Sequence, residues 1–180
     1  MIEEDALPLE ERLRRAEARY RALFEFSNDV LVEIATDGTI IDLNRRAATV
    51  SGYAKAEIVG KKISALAGKF TPASLAAMVA NFAKRMLGAR VDPYEVEVVG
   101  NEGQRLFFDV SSIYLKDDKE KTIGELAILR DITKWKEAAL QLSDKVKELE
   151  KITKVMNGRE DKIIELKNEI KDLKGKLEGK

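Results

Sequence analysis

The chain carries neither histidine nor cysteine, and that double absence limits its chemistry more than any motif directs it. Without His there is no imidazole base, no His-held metal or haem, and no phosphoacceptor His in this sequence. Without Cys there is no thiolate nucleophile, disulfide or Cys-ligated metal. The remaining residues form no phosphate-cradling Gly-rich loop, no nucleophile with a base and no acidic pair spaced for metal or proton transfer. The expectation is a protein that is not an enzyme and holds no metal. The side chains still able to bind something are apolar ones in alternation. Val96 and Val98, then Phe108, Val110 and Ser112, then Ala127 and Leu129 each fall on one face of a strand, and Met78 and Phe82 fall on one helical stripe. Such a surface either fills a core or admits a small, largely apolar, noncovalent guest, with Ser112 almost its only polar side chain.

The elements that must position these residues can be read in order. Apolar or small residues recur as Ile2, Ala6, Leu9, Leu13, Ala16, Tyr20 and Leu23, a narrow stripe on a helix that Pro8 interrupts only in its first turn. That stripe can pack back on the sheet of its own chain, form half of a dimer interface, or do both. Val30, Val32 and Ile34 alternate in a first strand, and Asp37-Gly38 turns it back into Thr39–Leu43. Asn44 stands at a helix N-cap, and the helix ends at Gly52. Ala56–Gly60 reads as a short helical turn, and Lys61–Phe70, without a clear period, as a loop with room for a short helix. Thr71-Pro72 then starts a helix whose stripe is Leu75, Met78, Val79, Phe82, Met86 and Leu87, ending at Gly88. Three strands follow, around Tyr94–Val98, Leu106–Tyr114 and Ile123–Leu129. The order of elements predicts an α+β domain with a five-stranded antiparallel sheet and helices on one face.

After Thr133 the pattern changes to heptads. Steps of seven from Trp135 reach Leu142, Leu149, Met156, Ile163, Ile170 and Leu177, and Ala138, Ile152, Leu166 and Leu173 fall three residues after members of that series. Lys145 and Arg159 take the remaining seam positions, and Asn157-Gly158 weakens the middle. Ile163 and Ile170 stand where β-branched residues favour two strands, so a parallel homodimer is expected. Trp135 is expected to pack at the junction between domain and helix. Asp131 and Thr133 each could cap this helix, and a cap that also bonds back to the domain would relay changes from sheet to helix.

These residues resemble the PAS family of sensor domains. The turn at Asp37-Gly38, the helix-starting Asn44, Gly52-Tyr53, Glu57-x-x-Gly60 and the domain-ending Asp131-Ile132-Thr133 match its pattern over roughly residues 25–133. The resemblance implies a cavity between sheet and helices, used in the family for cofactors, small ligands or plain side chains, and it makes the apolar face above the candidate lining. It names no cofactor. His-ligated haem and a Cys-adduct flavin are excluded by composition, while a noncovalent flavin is compatible. The implied organisation is an N-terminal amphipathic helix over 1–24, a PAS-like domain over 25–133 and a coiled-coil helix over 134–180. The implied function is a dimeric sensory module of signal transduction, as in two-component systems, freestanding or feeding a kinase region or other downstream signalling protein. The alternative is a ligand-free dimerisation or docking adaptor.

Lys plus Arg and Asp plus Glu number 32 each, so no net field draws the chain to nucleic acid or an anionic membrane. Met1–Asp5 is acidic where a secretory signal would be basic, and no apolar run reaches bilayer length. Neither a nucleic-acid nor a membrane partner is expected, and the expected location is the cytoplasm.

Overall fold

The computed structural model describes residues 8–178. Helix α1, Leu9–Glu25, begins directly after Pro8, which stands at its N-cap with no side chain to offer. Pro8 therefore precedes the described helix instead of interrupting it, and Ile2 and Ala6 of the expected stripe lie outside the described residues. Leu9, Leu13, Tyr20 and Leu23 are exposed, and the one buried side chain of α1 is Phe24, off that stripe. Of the described stripe residues, Tyr20 meets the sheet, its hydroxyl donating to the Glu33 carboxylate at 3.4 Å and its ring stacking on Phe24. The end of α1 is tied down by polar contacts, with the Glu25 carboxylate accepting the Arg45 N–H at 2.8 Å and the Phe24 carbonyl accepting from Asn44 at 3.0 Å.

Strands β1 (Val30–Ala35) and β2 (Ile40–Leu43) are joined at Asp37-Gly38. Gly38 has φ 84° and donates its N–H to the Ala35 carbonyl, while Asp37 takes the N–H and hydroxyl of Thr39 at 3.0 and 2.9 Å. Those bonds to the charged form hold the Asp37 carboxyl below its usual range. Asn44 caps helix α2, Arg45–Ser51, and Gly52 closes it in the left-handed region. Short 3-10 turns at Lys55–Glu57 and Ile63–Ala65 lead to helix α3, Pro72–Met86, with Thr71 as its cap. The helix ends earlier than its apolar pattern suggests, since Leu87 is the C-cap and almost wholly exposed.

Strands β3 (Tyr94–Val99), β4 (Arg105–Lys116) and β5 (Thr122–Asp131) complete a five-stranded sheet in the order β2-β1-β5-β4-β3, antiparallel at each pairing. The last strand in sequence enters the middle. Leu129 consequently lies opposite Val30 on one side and Val110 on the other, and the inward residues of three strands meet there. The core joins Val30, Ile34, Ile40 and Leu43 to Val96, Val98, Phe108 and Val110, with Leu75, Met78 and Phe82 of α3 packed against it.

The chain divides into two compact units, one through Lys134 and one from Trp135. Helix α4 opens at Thr133, runs to Glu178 without a break at Asn157-Gly158, and from Trp135 on makes up the described part of the second unit. Leu142, Leu149, Ile152, Met156, Leu166 and Ile170 are exposed along it, while the side chains of Ile163, Leu173 and Leu177 lie outside the described residues. In the second unit the Lys136 ammonium lies 5.6 Å from the Trp135 ring. No described helix is long and apolar enough to cross a membrane.

Candidate ligand cavity

The alternation of β3, β4 and β5 turns one side of each strand toward α2 and α3, and between these layers lies a cavity of about 100 Å³. That is room for a small apolar group, since a cavity of this order accepts a molecule such as benzene. Val98, Phe108, Val110, Ala127, Leu129 and Met78 line it, which brings together six of the nine residues singled out by pattern. The other three lie elsewhere. Val96 is sealed in the core opposite Phe108, and Phe82 lies against the β1–β2 turn, where a Cβ on Gly38 would sit 3.4 Å from its ring. Ser112 pairs with Ala127 but is not itself part of the cavity wall, and its hydroxyl is buried with no hydrogen-bond partner among the described residues.

Pattern reading passed over the polar residues of the wall. Arg85, in the last turn of α3, donates Nε and Nη2 to the two oxygens of Glu125 on β5, at 2.6 and 3.0 Å. The two side chains are 7% and 1% exposed. Burial opposes the Arg85 charge, but the bonds and the attraction of Glu125 hold its pKa above the ordinary value. Tyr94 stands beside the pair, its pKa raised by burial against the pull of Arg85. A signal for this pair exists in the sequence. Glu125 shares the alternation of Ala127 and Leu129, and Arg85 continues the stripe of Met78 and Phe82, so opposite charges occupy inward positions of two elements. The polar atoms satisfy each other, and the surface turned to the cavity is carbon almost throughout.

Tyr53 and Lys69 form another part of the wall. The Tyr53 hydroxyl donates to the Val99 carbonyl at 3.0 Å, and the Lys69 ammonium lies 3.3 Å from the centre of the Tyr53 ring. Asn44 supports the layer behind them. It is fully buried, and its side chain accepts from Leu31 and Ala47 N–H while donating to the Phe24 and Asp29 carbonyls. A cap expected for one helix thus also joins β1 and the end of α1.

At the end of β5 the two residues expected to connect sheet and helix divide the work. Asp131 accepts the Thr133 N–H at 3.0 Å, satisfying one of the free donors at the start of α4. The Thr133 hydroxyl turns back to β4 and accepts the Phe107 N–H at 2.9 Å, beside a bond from Ile132 N–H to the Phe107 carbonyl. Among the described residues no cluster of carboxylates could hold a metal ion.

Residues 27–134 match the family model for the PAS domain, and the chain belongs to that family. Solved structures agree. The PAS domain of an HTR-like protein from Haloarcula marismortui is 28% identical with a TM-score of 0.54, over 68% of this chain and 97% of that one. A PAS domain from Colwellia psychrerythraea is 23% identical with a TM-score of 0.54, over 67% and 98% of the two chains. A domain of a sensory box sensor histidine kinase/response regulator from Geobacter sulfurreducens is 24% identical with a TM-score of 0.52, over the same shares. No curated protein matches the chain. PAS domains are typically sensory, non-enzymatic modules of signalling proteins, sensor kinases among them.

Proposed function

We propose that the chain is a homodimeric sensory module in which a change inside the cavity passes along β5 to α4, either freestanding or as the input part of a sensor kinase or other regulator. One observation carries this reading. Ala127 and Leu129 are cavity wall, and after Arg130 the chain reaches Asp131 and Thr133, whose bonds fasten the start of α4 to the end of β5 and to β4. A displacement of β5 therefore has a short covalent path to the helix, and packed elements respond to small shifts by changing between discrete arrangements. The six exposed heptad residues of α4 supply the expected dimer seam, and the exposed stripe of α1 adds a second apolar surface. A parallel coiled coil would carry the change to a downstream signalling region.

The adaptor reading keeps one observation in its favour, the closely packed apolar wall of a small cavity whose ion pair is already satisfied. Spin labels at Lys151 and Lys167, both exposed on α4, separate the two readings. Narrowing the cavity with Ala127→Phe should shift the inter-helix distances, and Asp131→Ala with Thr133→Ala should abolish that shift. Unchanged distances under a demonstrated cavity change would make α4 a passive clamp and favour the adaptor. In sedimentation, Leu166→Lys with Ile170→Lys should convert the dimer to monomer by placing unpaired charges in the seam.

A further inference from the structure

Helix α3 contributes to one wall of the cavity through Met78 and Arg85, and the inward faces of β3, β4 and β5 form the opposite wall. Along most of its length the helix meets the core through the apolar side chains of Leu75, Met78 and Phe82. Directed bonds stand at its two ends. At the start, the Ser74 hydroxyl accepts the Glu97 N–H of β3 at 2.8 Å. At the other end, Arg85 holds Glu125 of β5 through two bonds, and the Tyr114 hydroxyl of β4 donates toward the Arg85 and Ala89 carbonyls. One end of α3 is therefore tied to an edge strand and the other to the strand in the middle of the sheet.

The ties and the apolar contacts between them respond differently to a displacement. Packed apolar side chains slide past one another in small shear movements, whereas a bidentate fork fixes both distance and orientation, so its two partners move together. Both side chains of the fork are cut off from solvent, and separating them would leave each charge buried without its partner, so the pair stays closed while the helix moves. A buried pair of this kind adds little net stability over well-packed apolar residues of the same size, and what distinguishes it is its directionality. Glu125 shares β5 with Ala127 and Leu129 of the cavity wall, and Asp131 at the start of α4 lies about 20 Å further along the same strand, at about 3.3 Å per residue. A guest that pushes Met78 away from the sheet thus pulls on Glu125 through Arg85. Resting on the reading of this domain as a sensory module, we propose that Arg85 and Glu125 are coupling residues that carry movement of α3 to β5 and so to the start of α4, a route separate from direct pressure on Ala127 and Leu129.

Substitutions that narrow the cavity from its two walls separate the routes, read in the full chain through spin labels at Lys151 and Lys167. Ala127→Phe presses on β5 directly, and Met78→Trp presses on α3. In the parent both should shift the inter-helix distances. In an Arg85→Met, Glu125→Leu background, where apolar residues of similar size replace the fork, Met78→Trp should lose most of its shift while Ala127→Phe keeps its own. A Met78→Trp shift that survives in that background, or that never occurs in the parent, overturns the coupling role and leaves the relay along β5 standing. Loss of both shifts would assign the pair to the general integrity of the domain and overturns the role as well. Absence of any shift with Ala127→Phe in the parent overturns the relay reading together with the inference. Should the double background fold poorly, Arg85→Lys decides the matter, because it keeps both charges and loses the fork. The Met78→Trp shift should then shrink, and an undiminished shift overturns the proposal.

Discussion

Arg85 with Glu125 and Arg105 with Glu97 are the same chemical arrangement in two surroundings. In each, the arginine donates Nε and Nη2 to the two carboxylate oxygens, at 2.6 and 3.0 Å in the first pair and 2.5 and 3.0 Å in the second. The first pair is buried between α3 and β5, whereas the second bridges β3 and β4 with Arg105 68% exposed. Geometry alone would rank them equal. Water does not, because the outer pair exchanges good solvation for a screened attraction, while each inner charge is cut off from solvent and depends on its partner for neutralisation. The inner pair also fixes the end of α3 against the strand that leads to α4, and Tyr114 reinforces the junction by donating its hydroxyl toward the Arg85 and Ala89 carbonyls.

The comparison is broken most forcefully by Glu125→Ala, which leaves the Arg85 guanidinium buried without its anion. Chemical denaturation should show a loss of about 3–5 kcal/mol. Replacing both partners, as Arg85→Met with Glu125→Leu, should recover most of that loss and leave stability within about 1 kcal/mol of the parent. A double variant as unstable as Glu125→Ala would mean that the pair contributes beyond relieving its own burial. At the outer pair, Arg105→Ala should cost no more than about 1 kcal/mol, and high salt should shrink that difference further.

The smallest effect is in pH. Hydrogen bonding from Arg105, with its charge, holds the Glu97 carboxyl below the usual value. A lowered folded-state pKa means that the unfolded chain binds the proton more readily. The contribution of Glu97 is therefore complete above the ordinary glutamate pKa and is lost as pH falls through the lowered one. In Arg105→Ala, NMR titration should return the Glu97 midpoint toward the ordinary value, and a midpoint that stays low would assign the shift to another group.

The two forks also show where the sequence is legible. Glu97 and Arg105 look like solvated charges on the outer face of a hairpin, and that is nearly what they are. Arg85 and Glu125 look the same by residue type, although their spacing puts them on inward faces. Reading charge as exposure hides the pair. It also hides the polar part of the cavity wall, and Lys69 is hidden further by lying in a stretch without period.

What the sequence determined by itself is local or subtractive. The Asp37-Gly38 turn, the caps at Asn44 and Thr71, the alternation of the last three strands and the heptads after Thr133 depend on near neighbours, whose geometry a few residue types dictate. The lack of His and Cys removes whole chemistries without any fold at all. Tertiary structure decided which inward residues meet. It placed β5 between β1 and β4, set Glu125 within bonding distance of a residue 40 positions away, and gave the Asn44 side chain contacts with α1, β1 and α2. It also separated Phe82 and Ser112 from the cavity that their period pointed toward. A period of two or of 3.6 states which face a side chain occupies, and only packing states what lies opposite that face.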